Sequence, residues 1–562
     1  MPKSTNFFIE FLKLAKLFWN SSRKKKIRTA FVFFALLTIM QMVVAVLMTQ
    51  WSAGLFDALE AHSMKGFLIQ VGLLSLLFIA DMSLTGSHLE VKRNLQMLSR
   101  TWLTDYVFSH WMENGRHYLV AHLPGEHDNP DGRIAEDCRV ATESAVVLLH
   151  TLFYSILLLI SFTKLLWDKS GVITLDLGFT QIPIYGHLIW VAIVYTAVAS
   201  WIGWWVSQPL TNATNVRQSA EAKFRAGLLE AKDNSQAIAL IHAEPCERRQ
   251  FRILFCKIRK VWHEQTRAWR NIVMFGTGYA TLSMAFPILV VAPRYILGRI
   301  TLGDLMQSAQ AFQHMTGALS WPVNNVGGIA EWRASVERVL SLLRVLDDVD
   351  HEIAKTDQRI QVKSGERQVL AFNDLSIGKY EGDILAHGIN MEINEGDHVL
   401  ITGNLYNGAK LFRAIAGIRP WGSGTIELPN KGRLFFMPPR PHLPTGTLLE
   451  AIWYPALRRK FTQVQIEEAM RLVGLAHLIN QLDIEDNWLQ SLTRGEQQRL
   501  GMVRLLINEP QWICLQEAFD SLKPEDEERM MNLLCEQLPK AAILSISHAP
   551  ENSSFYNKYL AL

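Results

Sequence analysis

An apolar run, VLITG (399–403), leads through two glycines into a helical stretch, GNLYNGAKLFRAIAG (403–417). A glycine-rich turn between a strand and a helix offers backbone N–H groups to an anion, and its phosphate-cradling form reads GxxxxGK followed by Ser or Thr. Gly403 and Gly408 keep that spacing, but Ala409 stands where the lysine belongs and Lys410 where the hydroxyl belongs. Lys410 could bring a cation to a phosphate only from a shifted helix phase. A second group follows. LTRGEQQR (492–499) supplies a hydroxyl at Thr493, a bare backbone at Gly495 and a carboxylate at Glu496. The apolar run WICL (512–515) leads into Gln516 and Glu517, and AILSIS (542–547) leads into His548.

A third set lies in the apolar half of the chain. Gln307, Gln310, His314 and Gly317 recur at i, i+3, i+7 and i+10 and share one helix face. Polar groups in a membrane span face a cavity or a neighbouring helix, so this face reads as a cargo-pathway lining or as helix–helix glue. Asp81, inside an apolar run, is the first candidate for carrying a proton. Asp57, Glu60 and Asp304 are expected to be interfacial acids in contact with water.

These residues need a membrane half and a soluble half to hold them. The chain has 562 residues, 49% apolar and only 19% charged, against about 25% charged in an average soluble protein. Net charge is +3, which excludes a strongly basic nucleic-acid binder. Cys138, Cys246, Cys256, Cys514 and Cys535 have no CxxC spacing, so reduced thiols and no metal centre are expected.

The apolar runs near 30–50, 67–87, 145–167, 187–207, 272–297 and 304–326 suggest six spans. The last is too polar for hydropathy alone to find. Residues 1–28 read as an amphipathic elbow on the membrane surface. Residues 29–347 form the transmembrane domain, 348–366 a polar linker and 367–562 a soluble α/β domain. Segment 171–186 reads as a β-hairpin. Lys and Arg concentrate before the first span and in the loops 88–144 and 208–271. By the positive-inside rule the N-terminus and the soluble domain are cytoplasmic. The expected location is a bacterial inner membrane, spanned several times.

The order of glycine-rich turn, LTRGEQQR, apolar strand with an acidic residue and strand-terminal His548 resembles the nucleotide-binding domain of ABC transporters. The stretches WSAGLFDALEAH, NPDGRIAED, EAKFRAGL, ITLGDLMQSAQAF and IAEWRASVERV resemble the SbmA/BacA-like ABC transporters, relatives of subfamily D, over nearly the whole chain. The resemblance implies a six-helix membrane domain of exporter-type ABC fold, followed by an α/β P-loop-type domain. It implies a half-size transporter in membrane lipid, working as a homodimer on a hydrophilic cargo, peptide or cobalamin-like. By the same resemblance Glu517 is the general base, and His548 contacts the γ-phosphate. Thr493, Gly495 and Glu496 clamp nucleotide held by a partner's P-loop, while 129–139 and 221–225 couple the domains.

Several positions depart from the family pattern. The P-loop lysine position is Ala409, with Gly403, Gly408 and Lys410 left to bind nucleotide. The metal-binding glutamine is Pro439, the metal-associated aspartate is Gln516, and the loop after Glu517 reads DSLK, ending at Lys523. Mg²⁺ requires oxygen ligands from such positions, and phosphoryl transfer depends on that charge neutralisation. ATP and Mg²⁺ are implied by the resemblance and opposed by these residues, so impaired or absent hydrolysis is expected. The alternatives are a non-hydrolysing subunit of a heterodimer whose partner supplies an intact P-loop, and a nucleotide- or partner-binding membrane scaffold that does not transport.

Overall fold

The computed structural model describes residues 7–120, 129–176, 181–355, 359–378, 383–418, 421–430, 433–456, 461–547 and 555–562. The chain divides into two compact units. One comprises Met1–Phe108 and Asn129–Leu342, the other Ser109–Asp128 and Leu343–Leu562.

The first unit is built on helices α1 (Phe7–Trp19), α2 (Lys24–Glu60), α3 (Met64–Met112), α4 (Cys138–Ser170), α5 (His187–Asp233), α6 (Glu244–Ile296), α7 (Leu302–Leu319) and α8 (Val326–Lys355). The last turns of α3 and α8 fall in the second unit. Among the described residues five helices, α2 to α6, are long and apolar enough to cross a membrane. Several run well beyond it. α6 has 53 residues, about 80 Å at 1.5 Å per residue, against a hydrocarbon core of about 30 Å. Strands β1 (Val172–Asp176) and β2 (Gln181–Tyr185) pair antiparallel as the expected hairpin, with Val172 opposite Tyr185.

The sixth expected span, 304–326, is a shorter and more enclosed helix. α7 is capped by Thr301, whose hydroxyl accepts the Asp304 N–H at 3.1 Å, and it ends at Leu319, two residues before Trp321 and three before Pro322. A proline cannot continue the helical hydrogen bonds of the preceding turn. Most of α7 is buried, against α2, α4, α5 and α6. Ala311, Phe312 and Met315 form a core there with Phe162 and Leu166 of α4. α7 sits in the middle of the bundle, so its polar residues need partners or a cavity.

α1 is held by aromatic contacts. Phe7 and Phe11 meet Trp332 edge-on, with centroids 6.2 and 5.1 Å apart, and Phe18 lies 5.3 Å from Trp102. The elbow is shorter than the 1–28 expected, because the lysine run from Lys24 already belongs to α2. Within 348–366, α8 continues to Lys355 and β3 covers Gln361–Ser364.

The second unit carries two sheets. β3, β4 (Val369–Gly378), β5 (Ile384–Asn394) and β7 (Gly422–Leu428) form a four-stranded sheet in the order β3-β7-β4-β5. β6 (His398–Thr402), β8 (Leu434–Met437), β11 (Trp512–Gln516), β12 (Ala542–Ile546) and β13 (Lys558–Ala561) form a parallel sheet in the order β13-β6-β12-β11-β8. A two-residue ladder joins β9 (Gly446–Thr447) to β10 (Glu485–Asp486). The apolar runs of the parallel strands are buried, as central parallel strands require. Helices α9 (Leu405–Ile415), α10 (Arg494–Asn508) and α11 (Pro524–Gln537) follow β6, β10 and β11 in the chain.

Candidate functional site

In open α/β sheets ligands bind beyond the carboxyl ends of the parallel strands. Gly403 after β6, Pro439 after β8, Gln516 ending β11 and Glu517 after it all lie at that edge. His548, which follows β12, lies outside the described residues.

The turn after β6 is two residues long. Gly403 has φ +93°, and a Cβ there would fall 2.3 Å from the Leu562 carbonyl oxygen. Asn404 caps α9, which begins at Leu405. The donors of this turn are committed within the chain. The Asn404 N–H goes to the Leu562 carbonyl at 2.8 Å, and the Tyr406 N–H to the Asn404 side-chain oxygen at 3.0 Å. The Asn407 and Gly408 N–H groups go to the Asn404 carbonyl, at 2.9 and 3.1 Å. Phosphate binding at a helix N-terminus uses such donors when they are unspent. Here the Asn404 side chain takes one, the Leu562 carbonyl just after β13 another, and the Asn404 carbonyl the other two.

Lys410 is 1% exposed, with its ammonium 3.4 Å from the centroid of the Tyr406 ring. Ala409 is buried beside it, and Gly408 is backed by Ile546 and Ile401, 3.0–3.3 Å from where a Cβ would stand. The cation that sequence spacing offered to a phosphate is covered by an aromatic ring about one helical turn before it in the chain.

The LTRGEQQR segment is well formed. Thr493 caps α10, and with Glu496 it makes a reciprocal capping box. The Glu496 carboxylate also lies 2.9 Å from His477 Nε2. Partial burial would raise its pKa, but the Thr493 hydroxyl and N–H and His477 more than offset that and hold it below the usual glutamate range. Gly495 leaves room for Leu522, whose Cδ2 lies 3.2 Å from the position a Cβ would take. Arg494 is exposed.

Gln498 ties three segments together. Its side-chain amide donates to the Pro439 carbonyl at 3.3 Å and to the Asp520 carboxylate, and its oxygen accepts the Ser521 N–H at 3.1 Å. Glu517 lies between these segments in sequence. It adopts φ +45°, unusual for a non-glycine residue, and its N–H donates to the Ile546 carbonyl at 2.8 Å. Lys523 is exposed and precedes α11, whose first turn carries Glu525, Asp526 and Glu527.

The membrane unit holds the remaining candidates. Gln307 is buried in α7, Gln310 donates to the Ser52 hydroxyl of α2 at 2.8 Å, and His314 stacks on Phe162 with centroids 4.5 Å apart. Gly317 is exposed, and Asp81 is half-buried on α3.

Asp57 and Glu60 are not simply solvated. Their carboxylates accept the N–H groups of Gly303 and Leu302 at 2.9 and 2.8 Å, and so cap α7 from α2. Asp304 pairs with Lys169. These donors come from a helix about 240 residues away in sequence, as the separations of 246 and 242 show, and Glu60 itself remains exposed.

The expected coupling segment 129–139 clusters with the membrane unit, where Asp137 forms an ion pair with Arg338. Segment 221–225 lies within α5. The stretch belonging to the second unit is 109–128. In its described part the Arg413 guanidinium sits 5.9 Å from the Tyr118 ring, and Ile418 backs Gly115. The signals available were Asn114 and Gly115, both with positive φ in the break after α3.

The family model described as ABC transporter transmembrane region 2 matches residues 14–296. The chain belongs to that family. It is similar to the inner membrane ABC transporter ATP-binding protein YddA of Escherichia coli, 27% identical over 549 residues, covering 96% of this chain and 95% of that one. It is similar to the chloroplastic ABC transporter D family member 2 of Arabidopsis thaliana, at 25% identity over 98% of this chain and 86% of the relative. It is also similar to human ATP-binding cassette sub-family D member 3, at 24% identity over 80% of this chain and 72% of the relative. This ABC transporter is a multi-pass membrane protein with an α/β C-terminal domain.

Proposed function

We propose that this chain is a half-size transporter of the SbmA/BacA-like kind, which moves a hydrophilic cargo as a homodimer and hydrolyses ATP poorly or not at all. Its nucleotide domain is degenerate. The observation that carries this reading is the fate of the turn after β6. Four backbone N–H groups are spent on Asn404 and Leu562, and Lys410 is covered by Tyr406. Ala409, Pro439 and Gln516 remove the cation, the amide ligand and the carboxylate that Mg²⁺ and phosphate would need. Polar α7 completes six spans and Asp81 carries protons, while Gln310 and His314 hold α7 to Ser52 of α2 and Phe162 of α4. The basic loops support a cytoplasmic N-terminus and nucleotide domain, and the membrane is a bacterial inner membrane in this reading.

The test is nucleotide binding by the purified chain in lipid, read as a shift of the unfolding midpoint with Mg²⁺-ATP. A ligand at 100 times its Kd stabilises by about 2.7 kcal/mol. No shift at millimolar ATP is expected, and a saturable shift of several degrees contradicts the reading.

The heterodimer reading is favoured by one observation. The capping box at Thr493 and Glu496 and the Gln498 bridge keep the signature helix formed although the turn after β6 is closed. A partner with an intact P-loop could use Thr493, Gly495 and Glu496. Mixing with such a partner, where one co-purifies, would then produce ATP turnover that Glu496→Ala removes.

A further inference from the structure

Between α2 and α3 lies a groove of about 670 Å³. From α2 it is lined by Arg23, Lys26, Ala30 and Phe33, and from α3 by Val91, Asn94, Leu98 and Thr101. Each set recurs at i, i+3, i+7 and i+10, so the groove is two facing helix stripes. α2 and α3 follow one another through a tight turn at 61–63 and therefore run antiparallel. Arg23 and Lys26 share one end with Thr101, and Phe33 shares the other with Val91. The groove is thus cationic at one end and apolar at the other.

Its level along α2 is set by the sequence. The basic run Arg23–Arg28 ends where the apolar run begins, and Val32 and Phe33 are exposed. In a membrane-spanning helix that is the boundary between headgroups and hydrocarbon. Neither Arg23 nor Lys26 has an ion-pair partner among the described residues. No acid occurs between residues 20 and 33, and Glu90 is the one acid between 88 and 101. The threonine hydroxyls are already committed. Thr29 donates to the Lys25 and Lys26 carbonyls at 3.0 Å, and Thr101 donates to Met97 at 2.8 Å. The donors left to the groove are the two cations and the Asn94 amide.

We infer that this groove binds one anionic phospholipid of the leaflet on the basic-loop side. Its phosphate lies between Arg23 and Lys26, its glycerol region reaches Asn94, and an acyl chain lies over Phe33 and Val91. Two unpaired cations side by side favour an anion, and the apolar end beside them favours a hydrocarbon. A phospholipid supplies both in one molecule, in the order the groove requires. The inference rests on the chain spanning a membrane and not on the nucleotide reading.

The test uses the full chain in nanodiscs of phosphatidylcholine mixed with phosphatidylglycerol. Bound lipid is counted by native mass spectrometry after gentle release. The unaltered chain retains one phosphatidylglycerol. In the double variant Arg23→Ala/Lys26→Ala its retention falls by about thirtyfold, the effect of two phosphate-neutralising cations. In Lys24→Ala/Lys25→Ala, which removes equal charge outside the groove, retention falls much less than in the groove variant. Three results overturn the inference. Equal losses in both variants mean only diffuse attraction to an anionic surface. Displacement of the lipid by inorganic phosphate at equal concentration means a free-anion site. Unchanged lipid with loss of the dimer in Arg23→Ala/Lys26→Ala means that the groove seats a second copy of this chain.

Discussion

The Lys410 ammonium lies 3.4 Å from the centroid of the Tyr406 ring, with the lysine almost wholly buried and the tyrosine 61% exposed. A cation over an aromatic face is favoured by the ring quadrupole, by about 2 kcal/mol when desolvated. Tyr406 thus stabilises the covered position of the cation and keeps it from a phosphate.

Replacing the ring while keeping bulk tests this pair. Tyr406→Leu is expected to destabilise the C-terminal domain by about 1–2 kcal/mol, lowering its thermal midpoint by a few degrees. Tyr406→Phe keeps the ring face and should remain near the unaltered value. Equal midpoints for Tyr406→Leu and the unaltered chain would show that the ring contributes nothing to holding Lys410.

Gly303 measures how tightly α7 is clasped. A Cβ there would fall 2.3 Å from the Ala53 carbonyl and 2.4 Å from the Asp57 carboxylate, whereas one on Gly317 would meet nothing within 4 Å. Gly303→Ala must push α7 off α2 or break the Asp57 cap, a cost of about 1–3 kcal/mol. Gly317→Ala should be neutral or stabilise by up to about 1 kcal/mol through helix propensity. Thermal unfolding in detergent, followed by tryptophan fluorescence, separates the two.

Acid sensitivity should trace to Asp397. Partial burial would raise its pKa, but the Lys558 ammonium and the Asn394 N–H hold it below the usual aspartate range. A carboxyl lowered in the folded state contributes stability that is complete above its unfolded value, near 4, and is lost as pH falls through the folded value. The midpoint of the C-terminal domain should therefore drop as pH falls below about 4. Asp397→Asn should flatten that limb. An unchanged acid limb in the variant would assign it to other groups.

Much of the architecture can be read from residue pattern. Long apolar runs announce α2 to α6, because a bilayer-spanning helix must be apolar over about 20 residues. α7 is legible only through the spacing of Gln307, Gln310 and His314, since its burial among helices permits polarity that lipid would not. The weakness of the turn at 403–408 shows in Ala409 and Lys410 as residue types. Its closure does not, because Asn404 meets Leu562 across 158 positions, and only the pairing of β13 with β6 brings them together. Gln498 was likewise indistinct within LTRGEQQR, since its partners Pro439, Asp520 and Ser521 lie on other loops. Asp57 and Glu60 looked like solvated acids because the N–H groups they cap belong to a distant helix. Long-range hydrogen bonds of this kind leave no periodic trace in a sequence.

The central claim is that the turn after β6 cannot support phosphoryl transfer. The most direct measurement is the steady-state ATPase rate of the purified chain in lipid with Mg²⁺, beside Glu517→Gln. The account predicts no turnover above background in either protein. A rate that is present in the unaltered chain and abolished in Glu517→Gln would contradict it, and would mean that Lys410 leaves its place under Tyr406 to serve a bound nucleotide.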